Sequence, residues 1–267
     1  MRPTLRLAAA LAVILGLVPA SPPLHAEGLD IAKAQVVDLT HAIDRDTIFW
    51  PTEKKTFELV EEHRGMTERG FFYAANRFCL PEHGGTHVDA PFHFAKEGKT
   101  VGALPIERMV GPAAVIDVSA KAAADPDYTL QPEDVTAWEA TNGKIAPGTI
   151  VLLRTGWSSR WPDPEAMANR DPEGISHTPG WSSEVLSFLI EERAVAAVGH
   201  EQTDTDPGQA TSRQDFSLET YVLAQDRWQI ELLANLGGLP EAGAVIVASW
   251  AKPLGGSGFP ARVFAIS

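Results

Sequence analysis

His83-Gly84-Gly85-Thr86-His87-Val88-Asp89-Ala90-Pro91-Phe92-His93, followed by Phe94, gathers three of the chain's eight histidines and an aspartate into eleven positions. Imidazole nitrogens with a carboxylate are the ligand set for Zn, Mn or Fe(II). His87 and Asp89 stand at i and i+2, so an extended strand places both on one side. Gly84 and Gly85 allow positive φ, which lets His83 fold back toward that side. Pro91 stops a helix and turns the chain so that His93 re-approaches the same point. A solvated histidine-rich loop is the plainer reading for one histidine; the density of this cluster argues against it.

Outward from this stretch, apolar and β-branched runs of strand length recur. They are Val36 to Leu39, Phe71 to Phe78, Ala113 to Val118, Thr149 to Leu153, Val195 to Val198, Ala244 to Ala248 and Arg262 to Ile266. Helical stretches separate the later ones. Pro132 followed by Glu133 and Asp134 opens one, with acids at the positive end of the dipole. Ser182 caps a second, whose Val185, Leu186, Phe188, Leu189 and Ile190 form a buried face, and Ser217 caps a third running to about Gln225. A strand-rich early half and an alternating later half read as one α/β domain. Proline-rich Trp161 to Pro179 is an irregular excursion, either a lid or plain surface.

Residues 1–26 read as a secretory signal rather than as fold. Arg2 and Arg6 form a basic start, Leu7 to Val18 is an apolar run of about a dozen residues, and Ala20 and Ala26 offer cleavage points. A membrane span would need about 20 apolar residues. The expectation is an exported chain, periplasmic or secreted, free of the membrane after cleavage, with residues 27–267 as its domain. Loss of Arg2 and Arg6 takes the formal charge from −13 to −15. Such a surface repels phosphate backbones and argues against a nucleic-acid partner. Cys79 is the chain's one cysteine, so no internal disulfide is possible, and a buried, inert thiol is the default expectation.

The opening stretch resembles the hallmark H-x-G-T-H-x-D-x-P-x-H-F of the cyclase family of metal-dependent hydrolases (kynurenine formamidase-like and isatin hydrolase-like). His83, Gly85, Thr86, His87, Asp89, Pro91, His93 and Phe94 fill every hallmark position. Further matches are Trp50-Pro51, Gly199 to Gly208 with Asp204 to Pro207, Ile230 to Leu236, and Gly255 to Val263, so the resemblance runs from about Val36 to the C-terminus. It implies the swivelling β/β/α fold in a single domain, and a divalent metal held by His83, His87 and Asp89. Glu231, from the Ile230-Glu231-Leu232-Leu233 segment, would complete the shell. An unpaired charge in that apolar run would be costly, which a metal explains better than a surface salt bridge. A cation can lower the pKa of bound water from 15.7 to about 7. The resemblance makes His93 the proton shuttle; a fourth metal ligand is the alternative. Trp50 matches the family's substrate-stacking tryptophan, and Phe49, Phe71, Phe72 and Tyr73 extend an aromatic wall suited to a flat aryl substrate.

One departure stands out. Formamidases of the family carry a histidine about twelve residues before the glutamate, for a second metal; here Glu219 holds that place. Either Glu219 substitutes or the site holds one metal. The reading adopted is one cation per chain, Mn ahead of Zn, as in the isatin-hydrolase branch. His200 is placed beside the site or in a structural loop, with His41, His63 and His177 as surface or loop residues. The resulting expectation is hydrolysis of the C–N bond of a small aryl amide, cyclic as in isatin. The alternatives are an arylformamidase acting on N-formylkynurenine in tryptophan catabolism, a non-haem Fe(II) oxygenase, and a non-catalytic exported binding protein. Family members tend to be homodimers or larger.

Overall fold

The computed structural model describes residues 32–267, and the signal expected over residues 1–26 lies outside them. Eleven strands are formed: β1 (Val36–Asp38), β2 (Glu58–Met66), β3 (Phe72–Cys79), β4 (His87–Asp89), β5 (Val110–Asp117), β6 (Ile150–Arg154), β7 (Ala197–His200), β8 (Trp228–Glu231), β9 (Ala242–Ser249), β10 (Gly258–Pro260) and β11 (Arg262–Ile266). Nine make one mixed sheet in the order β1-β11-β9-β5-β6-β7-β8-β4-β10. Strands β5 to β8 run parallel to one another, and the flanking pairs are antiparallel. The α/β fold anticipated from the sequence is the fold observed.

Side-chain alternation explains why this sheet is covered on both faces. Ala113, Val115, Ile150 and Leu152 pack into one apolar cluster, while Ala114, Ile116, Val151 and Leu153 pack into another. Strand β6 is therefore apolar at every position from Ile150 to Leu153, as a central parallel strand must be. The second cluster is roofed by helices. The Pro132–Asn142 helix opens with a capping box between Gln131 and Asp134, and Ser182 accepts from the Val185 amide at the start of the Ser183–Ser187 helix. Val185, Leu186, Leu189 and Ile190 are buried as expected.

Near the site the same alternation sets polarity. Val88, Trp228 and Ile230 enter the first cluster. Their neighbours His87, Asp89, Gln229 and Glu231 therefore face the helix side.

Two expectations need correction. Cys79 is exposed, because β3 pairs only with β2 in a hairpin separate from the nine-stranded sheet. Ser217 is the first residue inside its helix rather than the cap, which is Phe216. The Leu218 and Glu219 amides at that end donate to the distant Asp206 carboxylate, at 2.9 Å each. The Trp161–Pro179 excursion buries Met167 with Trp157 and Leu232, and its Thr178 lines a cavity.

Candidate metal centre

Pairing of β4 with β8 sets His87 opposite Glu231 and Asp89 opposite Gln229, four polar residues in a square on one face. The glycines before β4 do different jobs. Gly85 takes φ +58, whereas Gly84 leaves room for the Phe49 ring, which a Cβ would meet at 2.0 Å. The turn brings His83 back so that its Nδ1 lies 2.5 Å from Asp89 Oδ1. The structure thus brings His83, His87 and Asp89 together.

Each imidazole has its outer nitrogen anchored. His87 Nδ1 donates to the Gly85 carbonyl at 2.8 Å, which leaves Nε2 as the lone pair, 3.3 Å from Asp89 Oδ1 and 3.6 Å from Glu231 Oε2. His83 Nε2 meets Ser257 Oγ at 2.8 Å, and that hydroxyl donates onward to Glu82 at 2.6 Å. A histidine held in this way presents a fixed lone pair, the usual arrangement behind a bound cation.

Glu219 and His200, placed near the site from sequence, both reach it. Glu219 Oε1 is 3.8 Å from His93 Nε2, and His200 Nε2 is 3.5 Å from Glu231 Oε1. Trp181 Nε1 donates to His200 Nδ1 at 3.2 Å, so the neutral ring carries its proton on Nε2. That buried nitrogen has no hydrogen-bond partner within normal geometry. His93 follows the Pro91–His93 turn and stacks on His83 at 3.8 Å between centroids. It stands outside the groups whose ligand atoms converge.

The electrostatics are those of a carboxylate cluster short of positive charge. Burial, then Asp89 and Glu219, pushes the Glu231 carboxyl well up, and burial with Asp204 and Asp89 does the same to Glu219. Burial would also raise Asp89, but His87 and His83 beside it hold it well below the usual range. Burial lowers His93 to about 4, so its ring is neutral at neutral pH. No lysine or arginine is buried among the described residues. Two pinned imidazoles and three buried carboxylates therefore fit a divalent cation.

The centre opens into a cavity of about 910 Å³. Trp50 lines it and meets Phe216 edge-on at 5.8 Å; Phe216 in turn lies 6.0 Å from Phe94. Phe72 is elsewhere: it is 62% exposed on the β2–β3 hairpin and does not line this cavity. Residues not singled out from sequence as part of the site are Gln229, Ser257, Glu82 and Phe216. Gln229 carried a readable signal, since it sits two residues before Glu231 on a strand and so shares its face.

The sequence profile of the Cyclase family matches residues 37–207. Isatin hydrolase of Roseibium aggregatum is 34% identical over 245 residues, covering 88% of this chain and 92% of that protein. Kynurenine formamidase of Salinibacter ruber is 26% identical over 229 residues, covering 85% and 95%. Among solved structures, an isatin hydrolase bound to the product analogue thioisatinate superposes with TM-score 0.81 at 31% identity, over 88% of this chain and 93% of that one. A strand pair carrying the hallmark, a centre built for a cation and these likenesses agree: the chain belongs to the Cyclase family.

Proposed function

We propose that this protein is a metal-dependent hydrolase that opens the C–N bond of a small cyclic aryl amide such as isatin. The observation that carries the reading is the anchoring of both imidazoles by their outer nitrogens, which turns the inner ones onto Asp89. His83, His87, Asp89 and Glu231 would hold one cation, with Mn favoured over Zn. When bound, such an ion acidifies water and polarises a carbonyl. The chain supplies the rest. The aromatic wall of Trp50, Phe216 and Phe94 offers faces to a flat ring. Neutral His93 takes a proton from the attacking water at Nε2 and returns it to the departing nitrogen. The hydroxyl oxygen bonds to the carbonyl carbon, the C–N bond breaks, the shuttled proton completes the arylamine, and the new carboxylic acid loses its remaining proton to solvent as a carboxylate.

The similarity to kynurenine formamidases supports an arylformamidase as the second reading. Incubation with Mn and a panel including isatin and N-formylkynurenine, followed by acid release, separates the two. Faster turnover of isatin, abolished by chelation, is expected. Faster turnover of N-formylkynurenine by a protein holding two zinc ions would replace the first reading by the second.

The basic start and apolar run support export. Fractionation should find the mature chain in the periplasm or medium with Ser21 or Glu27 at its N-terminus; intact Met1 on a cytoplasmic form would refute this. Assembly into a homodimer or larger homo-oligomer is also part of this reading.

A further inference from the structure

Gln229 is fully buried at the heart of the carboxylate cluster. Its Nε2 lies 3.0 Å from Asp89 Oδ2, 3.1 Å from Glu219 Oε1 and 3.1 Å from Glu231 Oε1. The amide nitrogen, and not its oxygen, faces all three. With a cation bound the three carboxylates are ionised and only accept hydrogen bonds, so the amide turns its NH2 group toward them. On its far side the Thr205 hydroxyl donates to Gln229 Oε1 at 2.8 Å.

The oxygens that Gln229 engages are not the ones facing His83 and His87. Asp89 turns Oδ1 to those imidazoles and Glu231 turns Oε2 to His87. Asp89 and Glu231 are thus each divided between an oxygen facing the His83/His87 pair and one facing the amide, whereas Glu219 Oε1 faces both Gln229 and His93. Asp89, Glu219 and Glu231 bring ligand atoms close enough together to hold a cation of their own, and one oxygen of each surrounds Gln229 Nε2. The amide nitrogen already serves one oxygen of each.

We propose that Gln229 fills this second focus as a permanent donor, which limits the centre to one cation and fixes which oxygen of Asp89 and Glu231 faces it. Gln229 is thereby a positioning residue that sets metal count. This rests on the metal-hydrolase reading and deepens it.

The test is Mn uptake by the full-length protein, counted by elemental analysis and followed by calorimetric titration. The unaltered chain should bind one ion. Gln229→Ala opens the focus, so its stoichiometry should rise from one toward two. Gln229→Leu keeps the bulk and loses the donor; it should stay at one ion, held about tenfold or more weakly as its ligands lose orientation. A merely structural glutamine would lower Tm in both variants without changing the count. If Gln229→Ala does not fold, Gln229→Glu carries the same test, because it keeps the shape and turns the donor into a further acceptor. One ion at unaltered affinity in Gln229→Ala, or in Gln229→Glu where that variant stands in, overturns the proposal. Two ions in the unaltered chain overturn it as well, while leaving the hydrolase reading intact. No ion in the unaltered chain defeats that reading itself.

Discussion

A neutral imidazole offers a lone pair on one nitrogen only, so whatever grips the other decides where the ligand points. For His87 the grip is local, two residues back at Gly85. For His83 it comes from Ser257, 174 residues on. Ser257→Ala should therefore weaken Mn binding by about 10- to 100-fold with the ligands intact, measurable by competition with a chelator. Unchanged affinity would mean that Asp89 alone orients His83. His93→Ala should keep its metal and lose on the order of 10²-fold or more in kcat, because proton transfer goes and the ligands stay. Loss of metal in proportion to activity would instead place His93 among the ligands. The hallmark cluster was legible because its residues are neighbours in sequence. Ser257 and Glu82 were not, because their partnership exists only once β10 lies beside β4.

At the scale of elements, strands that alternate or run wholly apolar were legible, and those shaped by other forces were not. Strand β2 reads Glu-Leu-Val-Glu-Glu-His-Arg-Gly-Met and is largely solvent-facing, so no apolar face marks it. The Trp161–Pro179 excursion meets a distant histidine at its first residue. His41 stacks on Trp161 at 4.3 Å, and its Nε2 is buried without a hydrogen-bond partner. Burial lowers the His41 ring to about 4, below its ordinary value of 6.5. The folded state thus binds this proton less readily than the unfolded one. The stability involved is fully present above pH 6.5 and is lost as pH falls toward 4. In metal-free protein, His41→Phe should keep the stack and flatten the loss of Tm over that window. An acid slope equal to that of the unaltered chain would show that His41 is already solvated.

For the molecule as a whole, the β2–β3 hairpin is the part least explained by one chain. Its register pairs Met66 with Phe72 and Leu59 with Phe78, all four exposed. A lone two-stranded hairpin is marginal in water, so a second copy covering these pairs would stabilise it. Sedimentation of the mature chain should give a dimer or larger species, and Phe72→Glu with Phe78→Glu should shift it toward monomer. A monomer at micromolar concentration before substitution would contradict this. The β4–β8 pairing has a consequence of another kind. Asp89 and Gln229 meet across 140 residues of chain, so the cation's seat does not exist while the chain is being made. A nascent or threaded chain carries only the His83–His93 stretch, without its glutamates. The ions that can fill this seat are then those surrounding the protein when its last strands close, and on the proposed export a chain that crosses the membrane unfolded would meet them on the far side.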